Sequence, residues 1–280
     1  MKQYLSQASV CYESMKEYIV DSFEQFHSVV SQDEYGSIYR GMKDIDWPLK
    51  PSIGRYLNSY LNRGFDEDSA RKQLRLDESN VIRIFRKESA AHLGYTPRDG
   101  WELWPIAQHH GVPTRLLDWT LNPLVALFFA VEEPWDGDSV VYGLFGQNTE
   151  ISILEEKSDS LKDHPLSTKG FRTYEPSHIT PRVQVQSGYF TIQEDPTIPL
   201  EEHKPFGKYA PEEEDLKPLI EVPLAQTTGF WRIRVKDYAK PQLRETLFKY
   251  GITRKLLFPE LDGIADWLKY MKWELPRDAT

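Results

Sequence analysis

Three short stretches hold residue types that could do chemistry together. Tyr39-Arg40-Gly41 sets a guanidinium beside a glycine, His109 and His110 end an apolar block, and Thr114-Arg115-Leu116-Leu117-Asp118-Trp119-Thr120 gathers a cation, a carboxylate, an indole and two hydroxyls. A glycine lets backbone or ligand come close, and the planar fork of Arg40 suits a phosphate or a carboxylate; an ordinary surface ion pair fits the same three residues. Arg115 and Asp118 lie three apart in what reads as a turn, flanked by Leu116 and Leu117. An internal pair that holds the turn is expected, with a place in a site as the alternative. Adjacent histidines leave a helix on different sides, so His109 and His110 are not expected to share a metal, and a helix C-terminus favours them for its dipole alone. Gln184 and Gln186 would share one face of a strand, either lining a cleft or facing solvent at an edge. Cys11 reads as a small filler rather than a nucleophile.

The elements that must position these groups follow from periodicity. Met15, Ile19, Phe23, Phe26 and Val30 predict one amphipathic helix over 12–30. Ser37 to Gly41 predicts a short strand that puts Arg40 at its end. Leu49 to Arg63 reads as irregular, and Glu67 to Ala91 as a long helix with a solvated charged face. Trp101 to His110 predicts a helix stopped by Gly111; after the turn, Asp118 or Thr120 caps a buried helix opened by Asn122-Pro123. That second run is too short for a bilayer, which takes roughly 20 apolar residues. Ser139 to Phe145 and Pro181 to Ile192 alternate as strands, with 151–174 between them a mostly polar connection. Asp195 to Leu219, proline-rich and carrying Glu212-Glu213-Glu214-Asp215, reads as a mobile surface insertion. Phe230 to Val235 predicts a strand bearing Arg232 and Arg234 on one face, Lys240 to Tyr250 a helix stopped by Gly251, and Pro259 to Trp273 a closing helix. Helices come first and strands later without regular alternation, which indicates an α+β fold: a helical extension over 1–36 and a domain over 37–280.

The chain has 280 residues, 40% hydrophobic and 13% aromatic, enough for a sizeable core. Its 43 acidic against 34 basic residues give a formal charge of -9, which disfavours a broad grip on phosphate backbones and leaves room for a local basic groove. One cysteine excludes an internal disulfide, Tyr4 to Val10 lacks the pattern of a secretory leader, and a cytoplasmic protein away from the membrane is expected.

Tyr39-Arg40-Gly41, Gln108-His109-His110-Gly111, Thr114 through Thr120 and Pro123 to Ala130 resemble the FRG domain family, whose name comes from an (F/Y)RG motif. Arg182, Gln186, Gly188 and Phe190 resemble its Q-x-G-x-F strand, and Gly251-Ile252-Thr253 with Leu257 to Gly263 its C-terminal signature. The resemblance runs from Ser37 to Trp267. The motif order is also similar to the three-part site of ADP-ribosyltransferases, with Arg40 at the first-motif arginine and Asp118-Trp119-Thr120 where those enzymes place Ser-Thr-Ser. Gln186, with Gln184 beside it, stands where they carry a glutamate.

That second resemblance implies a mixed or antiparallel sheet core and NAD as substrate, with no metal. Splitting the nicotinamide–ribose bond needs a carboxylate near an oxocarbenium-like centre and donors on the pyrophosphate. The implied catalytic residues are Arg40, Asp118 and Gln186. Those implied to hold NAD are Tyr39, Arg40, Gly41, His110, Arg115, Trp119, Thr120 and Gln186: Arg40 as phosphate clamp, Tyr39 or Trp119 stacking on nicotinamide, Thr120 on a ribose hydroxyl. Gln186 cannot carry charge, so Asp118 would supply the carboxylate. The implied setting is a toxin or phage-defence enzyme with a macromolecular acceptor and an antitoxin or regulatory partner. A nucleotide- or nucleic-acid-sensing module without catalysis, and a metal-dependent hydrolase using His109 or His110 with Asp118, are the alternatives.

Overall fold

A computed structural model describes residues 15–33, 37–144, 164–176, 188–202 and 230–275. Among these residues seven strands form one mixed sheet: β1 (Lys16–Val20), β2 (Ile38–Met42), β3 (Leu116–Thr120), β4 (Ser139–Leu144), β5 (Phe171–Tyr174), β6 (Gly188–Gln193) and β7 (Phe230–Val235). Their order is β1-β7-β4-β2-β3-β6-β5. The β1–β7 pair is parallel and every other pair is antiparallel. The helices are α1 (Phe23–Val30), α2 (Leu57–Leu61), α3 (Glu67–Ser89), α4 (Gly100–His109), α5 (Pro123–Val131), α6 (Lys240–Lys249), α7 (Arg254–Leu257) and α8 (Leu261–Lys269). This is the expected α+β class, and no helix among the described residues is long and apolar enough to cross a membrane.

Helix α5 is the apolar centre. Asn122 caps it by accepting from Leu124 N at 2.9 Å, Pro123 occupies its first turn, and Val125 to Phe128, Ala130 and Val131 are buried against Tyr39, Val141, Ile233 and Val235 of the sheet. The cap is therefore Asn122; Thr120 Oγ1 instead accepts from Asn122 N at 3.0 Å. Gly41 is required by this packing, because a Cβ there would overlap the Ala126 carbonyl and come 2.8 Å from Ala130 N. The close approach that its glycine permits is that of helix backbone. A second cluster, Ile38, Met42, Leu117, Trp119, Val140, Tyr142 and Phe230, draws on alternate residues of the same strands, as a pleated sheet requires.

Several expectations are corrected. The helix predicted from 12 splits: Lys16–Val20 is a strand that sends Tyr18 and Val20 into the core and leaves Ile19 61% exposed, and only then does Ser22 cap α1. Pairing with β7 overrides a spacing that also fits a helix. Leu49 to Arg63 contains a 3-10 turn (Ile53–Tyr56) and α2. The turn expected around Arg115 and Asp118 is strand β3, so the two side chains are not a pair. In the stretch read as polar connection, Phe171–Tyr174 is strand β5. The start of the presumed insertion is packed: Leu200 is fully buried and its N–H meets Leu49 O at 2.9 Å. Cys11, Arg182, Gln184, Gln186 and residues 203–219 lie outside the described residues.

Candidate functional site

Strands β2 and β3 share one register pair, Tyr39 with Thr120, and then part. Where they part, Arg40 Nη1 donates to the Asp118 backbone carbonyl at 2.5 Å. A cleft of about 450 Å³ opens there, walled by β2 and its following loop, the Arg55 turn, the end of α4, β3, β6 and one side of α5. Its size falls in the usual range for small-ligand sites, about 300–1,000 Å³.

Arg40 is the inner cation. Its side chain is 20% exposed and its Nη1 lies 3.8 Å from Asp118 Oδ2, while its Nε is buried with no acceptor among the described residues. Burial pushes the guanidinium's pKa down, Asp118 works against that, and the positive charge of Arg55 adds to it. Arg55 stands over the Trp47 ring at 5.8 Å and has no carboxylate partner among the described residues. The third cation, Lys43, is engaged: it pairs with Glu133 and lies 5.3 and 5.1 Å from the Trp47 and Trp135 ring centres.

Asp118 is the accessible acid, 62% exposed. Gln108 Nε2 donates to its Oδ1 at 2.7 Å. Glu132, also on the cleft wall, is held by Arg254, and burial pushes its carboxyl up against the pull of that arginine. Tyr189 is at the wall too; burial and the hydrogen bond to Glu175 push its phenol up to about 12.

The structure brings Tyr39, Arg40, Gly41, Asp118, Trp119 and Thr120 to one cleft. Within it their surroundings differ. Tyr39 is 4% exposed, donates to Asp33 and meets Trp231 edge-on; burial, ahead of that hydrogen bond, holds its phenol far above the usual range. Trp119 is 3% exposed, with Nε1 donating to Thr191 Oγ1 at 2.9 Å. Both rings belong to the core, and the ring that carries a cation at the cleft is that of Trp47. His110 and Arg115 are not on the lining. His110 is exposed and faces Phe85, with ring centres 6.4 Å apart; His109 does line the cleft, its Nε2 3.7 Å from Glu260 Oε1. Among the described residues no three His, Cys, Asp or Glu side chains are placed to hold a metal.

Arg115 is sealed instead. It is 1% exposed and its Nη2 meets Glu78 Oε2 at 2.5 Å, with Nε at 3.1 and 3.2 Å from the two carboxylate oxygens. Its Nη1 donates to the carbonyls of Gln193 and Glu194 at 3.4 and 3.2 Å. Burial pushes the Glu78 carboxyl up while Arg115 pulls it down. This pair ties α3 to the start of β3 and the end of β6.

Sequence reasoning missed Gln108, Trp47, Arg55 and Glu78 as working residues. Glu78 had a signal: Ala70, Leu74, Glu78 and Ile82 repeat at helical spacing, so an acid interrupts a buried stripe and requires a buried cation. The others had none, because a loop and a strand bring them together only in three dimensions.

Residues 36–139 match the family model of the FRG domain. The matched stretch contains Arg40, Arg55, Gln108 and Asp118, whereas Arg182 to Phe190 and Gly251 to Gly263 fall outside it. Neither a curated protein nor a solved structure matches the chain.

Proposed function

We propose that this cleft binds NAD and breaks its nicotinamide–ribose bond, as an ADP-ribosyltransferase or NAD glycohydrolase of the toxin or phage-defence kind acting in the cytoplasm. One observation carries the reading: Arg40 and Arg55, two guanidiniums that repel each other, face the same cleft, and Arg55 has no acid partner among the described residues. A pyrophosphate placed between them would satisfy both charges with paired hydrogen bonds. The half-buried Trp47 ring, on the cleft lining, offers an edge or face for a base or for nicotinamide.

Asp118 supplies the negative charge next to the reacting carbon. As the C1′–N bond breaks, its electron pair leaves with nicotinamide and the ribose takes on oxocarbenium character, which a nearby carboxylate stabilises. Water, or a hydroxyl of a macromolecular acceptor, then bonds to C1′ and gives its proton to Asp118. Gln186 has no part in this account, and an antitoxin-like partner that restrains the enzyme belongs to the same proposal.

The test is incubation of the purified protein with NAD, alone and with cell lysate, followed by mass spectrometry for nicotinamide and for ADP-ribose adducts. Nicotinamide release that Asp118→Asn abolishes and Arg55→Gln weakens is the expected result. NAD binding without release, in calorimetry, assigns the cleft to nucleotide sensing, which the same two arginines would also serve. Absence of both binding and release overturns the proposal.

A further inference from the structure

We infer that Gln108 is a positioning residue: it fixes the orientation of the Asp118 carboxylate through a hydrogen-bond relay whose direction is set in the core, at Thr114. The inference deepens the proposed reading of the cleft and rests on it only for the chemistry that Asp118 performs.

The relay is read from its buried end. Thr114 is fully buried, and its backbone is clamped by Ser52: Thr114 N donates to Ser52 Oγ at 3.0 Å, and Ser52 Oγ donates to Thr114 O at 3.2 Å. Thr114 Oγ1 accepts from Leu116 N at 3.2 Å, the first amide of β3. The hydroxyl has one proton, and that proton goes to Gln108 Oε1. The amide of Gln108 is thereby oriented, because its oxygen is taken by Thr114 and its nitrogen must face the other way. The nitrogen faces Asp118 Oδ1 at 2.7 Å and donates to it. A flipped amide would set oxygen against carboxylate and lose the Thr114 proton, so both ends oppose the flip.

The consequence for Asp118 is geometric. Its carboxylate is 62% exposed on a strand, and an exposed aspartate without a fixed donor samples several orientations. Gln108 holds Oδ1, which leaves Oδ2 directed to the side of the cleft where Arg40 Nη1 lies 3.8 Å away. Gln108 also has a favourable base: it is in the last turn of α4, where the following Gly111, at φ 83°, ends the helix and turns the chain back towards Thr114. The spacing from Gln108 to Asp118 therefore spans a helix end, a turn and a strand start, all locked by backbone bonds before the side chains meet.

The experiment separates the relay from the activity. Thr114 does not line the cleft, so Thr114→Val should reach NAD cleavage by two routes, the freed amide of Gln108 and the unpaired Leu116 N–H at the start of β3, and the double variant with Gln108→Leu separates the first from the second. Expected are a drop in kcat on the order of tenfold to a hundredfold with KM within about twofold, restoration by Thr114→Ser, and no further loss when Thr114→Val is combined with Gln108→Leu. If Thr114→Val does not fold, Gln108→Leu alone carries the kinetic test. The second readout needs no substrate: the side-chain amide protons of Gln108, identified by their disappearance in Gln108→Leu, should exchange slowly in the parent and fast in Asp118→Leu. Parent amide protons that exchange like those of a free glutamine overturn the relay, as do full kcat values in both Gln108→Leu and Thr114→Val. Protected amide protons in a protein that releases no nicotinamide leave the relay standing and remove the cleavage reading instead.

Discussion

Two arginine–carboxylate pairs meet strand β3 a few residues apart, and they are built to opposite ends. Arg115 and Glu78 are 1% and 0% exposed, joined at 2.5 Å, and Arg115 spends its other donors on two carbonyls. Arg40 and Asp118 are 20% and 62% exposed and 3.8 Å apart at their charged atoms, and Arg40 keeps one buried donor with no acceptor among the described residues. The same two residue types thus give a closed clamp in one place and an open, under-satisfied cation in the other. A buried charge with all its bonds made holds elements together, whereas a charge with bonds left over at a cleft is ready to take a ligand's.

The largest effect on the fold is expected at the closed pair. Arg115→Ala leaves Glu78 buried and unpaired and should cost about 3–5 kcal/mol in denaturant unfolding. Replacing both partners with apolar residues of similar volume should recover much of that loss, because the penalty lies in the orphaned charge. A single mutant as stable as the parent would erase the distinction between the pairs. Gly41→Ala comes next: its Cβ would overlap the Ala126 carbonyl, so overpacking should cost at least about 1–3 kcal/mol and lower the melting temperature whether or not NAD is present. A variant that kept its stability and lost only ligand affinity would assign Gly41 to the cleft in place of the packing.

Asp138 is an intermediate case that sharpens the comparison. Burial acts to raise its pKa, but hydrogen bonds from Lys236, Arg234 and the Asp237 amide bring it down to about 2. The folded value lies below the ordinary aspartate value of 3.8, so the stabilisation is complete above the unfolded value and is lost as pH falls through about 2. Acid unfolding of the parent should therefore steepen between those two values, and Asp138→Asn should be less stable at neutral pH and lose that steep segment. Parallel acid profiles for the two proteins would deny Asp138 this role.

The legible parts of the molecule were those set by local chemistry. Asn122-Pro123 and the apolar run behind them gave α5; Gly111 and Gly251 ended their helices; alternation gave β4 and β7. Arg40 and Asp118 were readable as cleft residues because their types suit a site, and the strands that carry them do meet. Three-dimensional pairing hid the rest. The Arg115–Asp118 pair was the natural local choice, yet a strand sends residues three apart to opposite faces, and the true partner is 37 positions away. Lys16–Val20 carried a helical spacing that β7 overrode, and Gln108 gained its role only when α4 folded back onto β3.

The smallest effect on the fold, and the sharpest contrast with Arg115, is expected at Arg40. Its contact to Asp118 is partly exposed and long, so Arg40→Lys should change unfolding free energy by less than about 1 kcal/mol. Lysine keeps the charge and could still reach the Asp118 carbonyl, which guards the parting of β2 and β3. It loses the planar fork and the Nε–H that has no acceptor among the described residues, and these are the donors a phosphate would use. Affinity for NAD should fall by about 1.5–3 kcal/mol, the worth of a hydrogen bond to a charged group. Calorimetry on the parent, Arg40→Lys and Arg55→Lys, with thermal melts beside it, reads both quantities on one set of samples. Equal NAD affinity in all three would remove the phosphate clamp, and a melting temperature lowered as far as that of Arg115→Ala would make Arg40 a second structural pair, so that the two arginines no longer differ in kind.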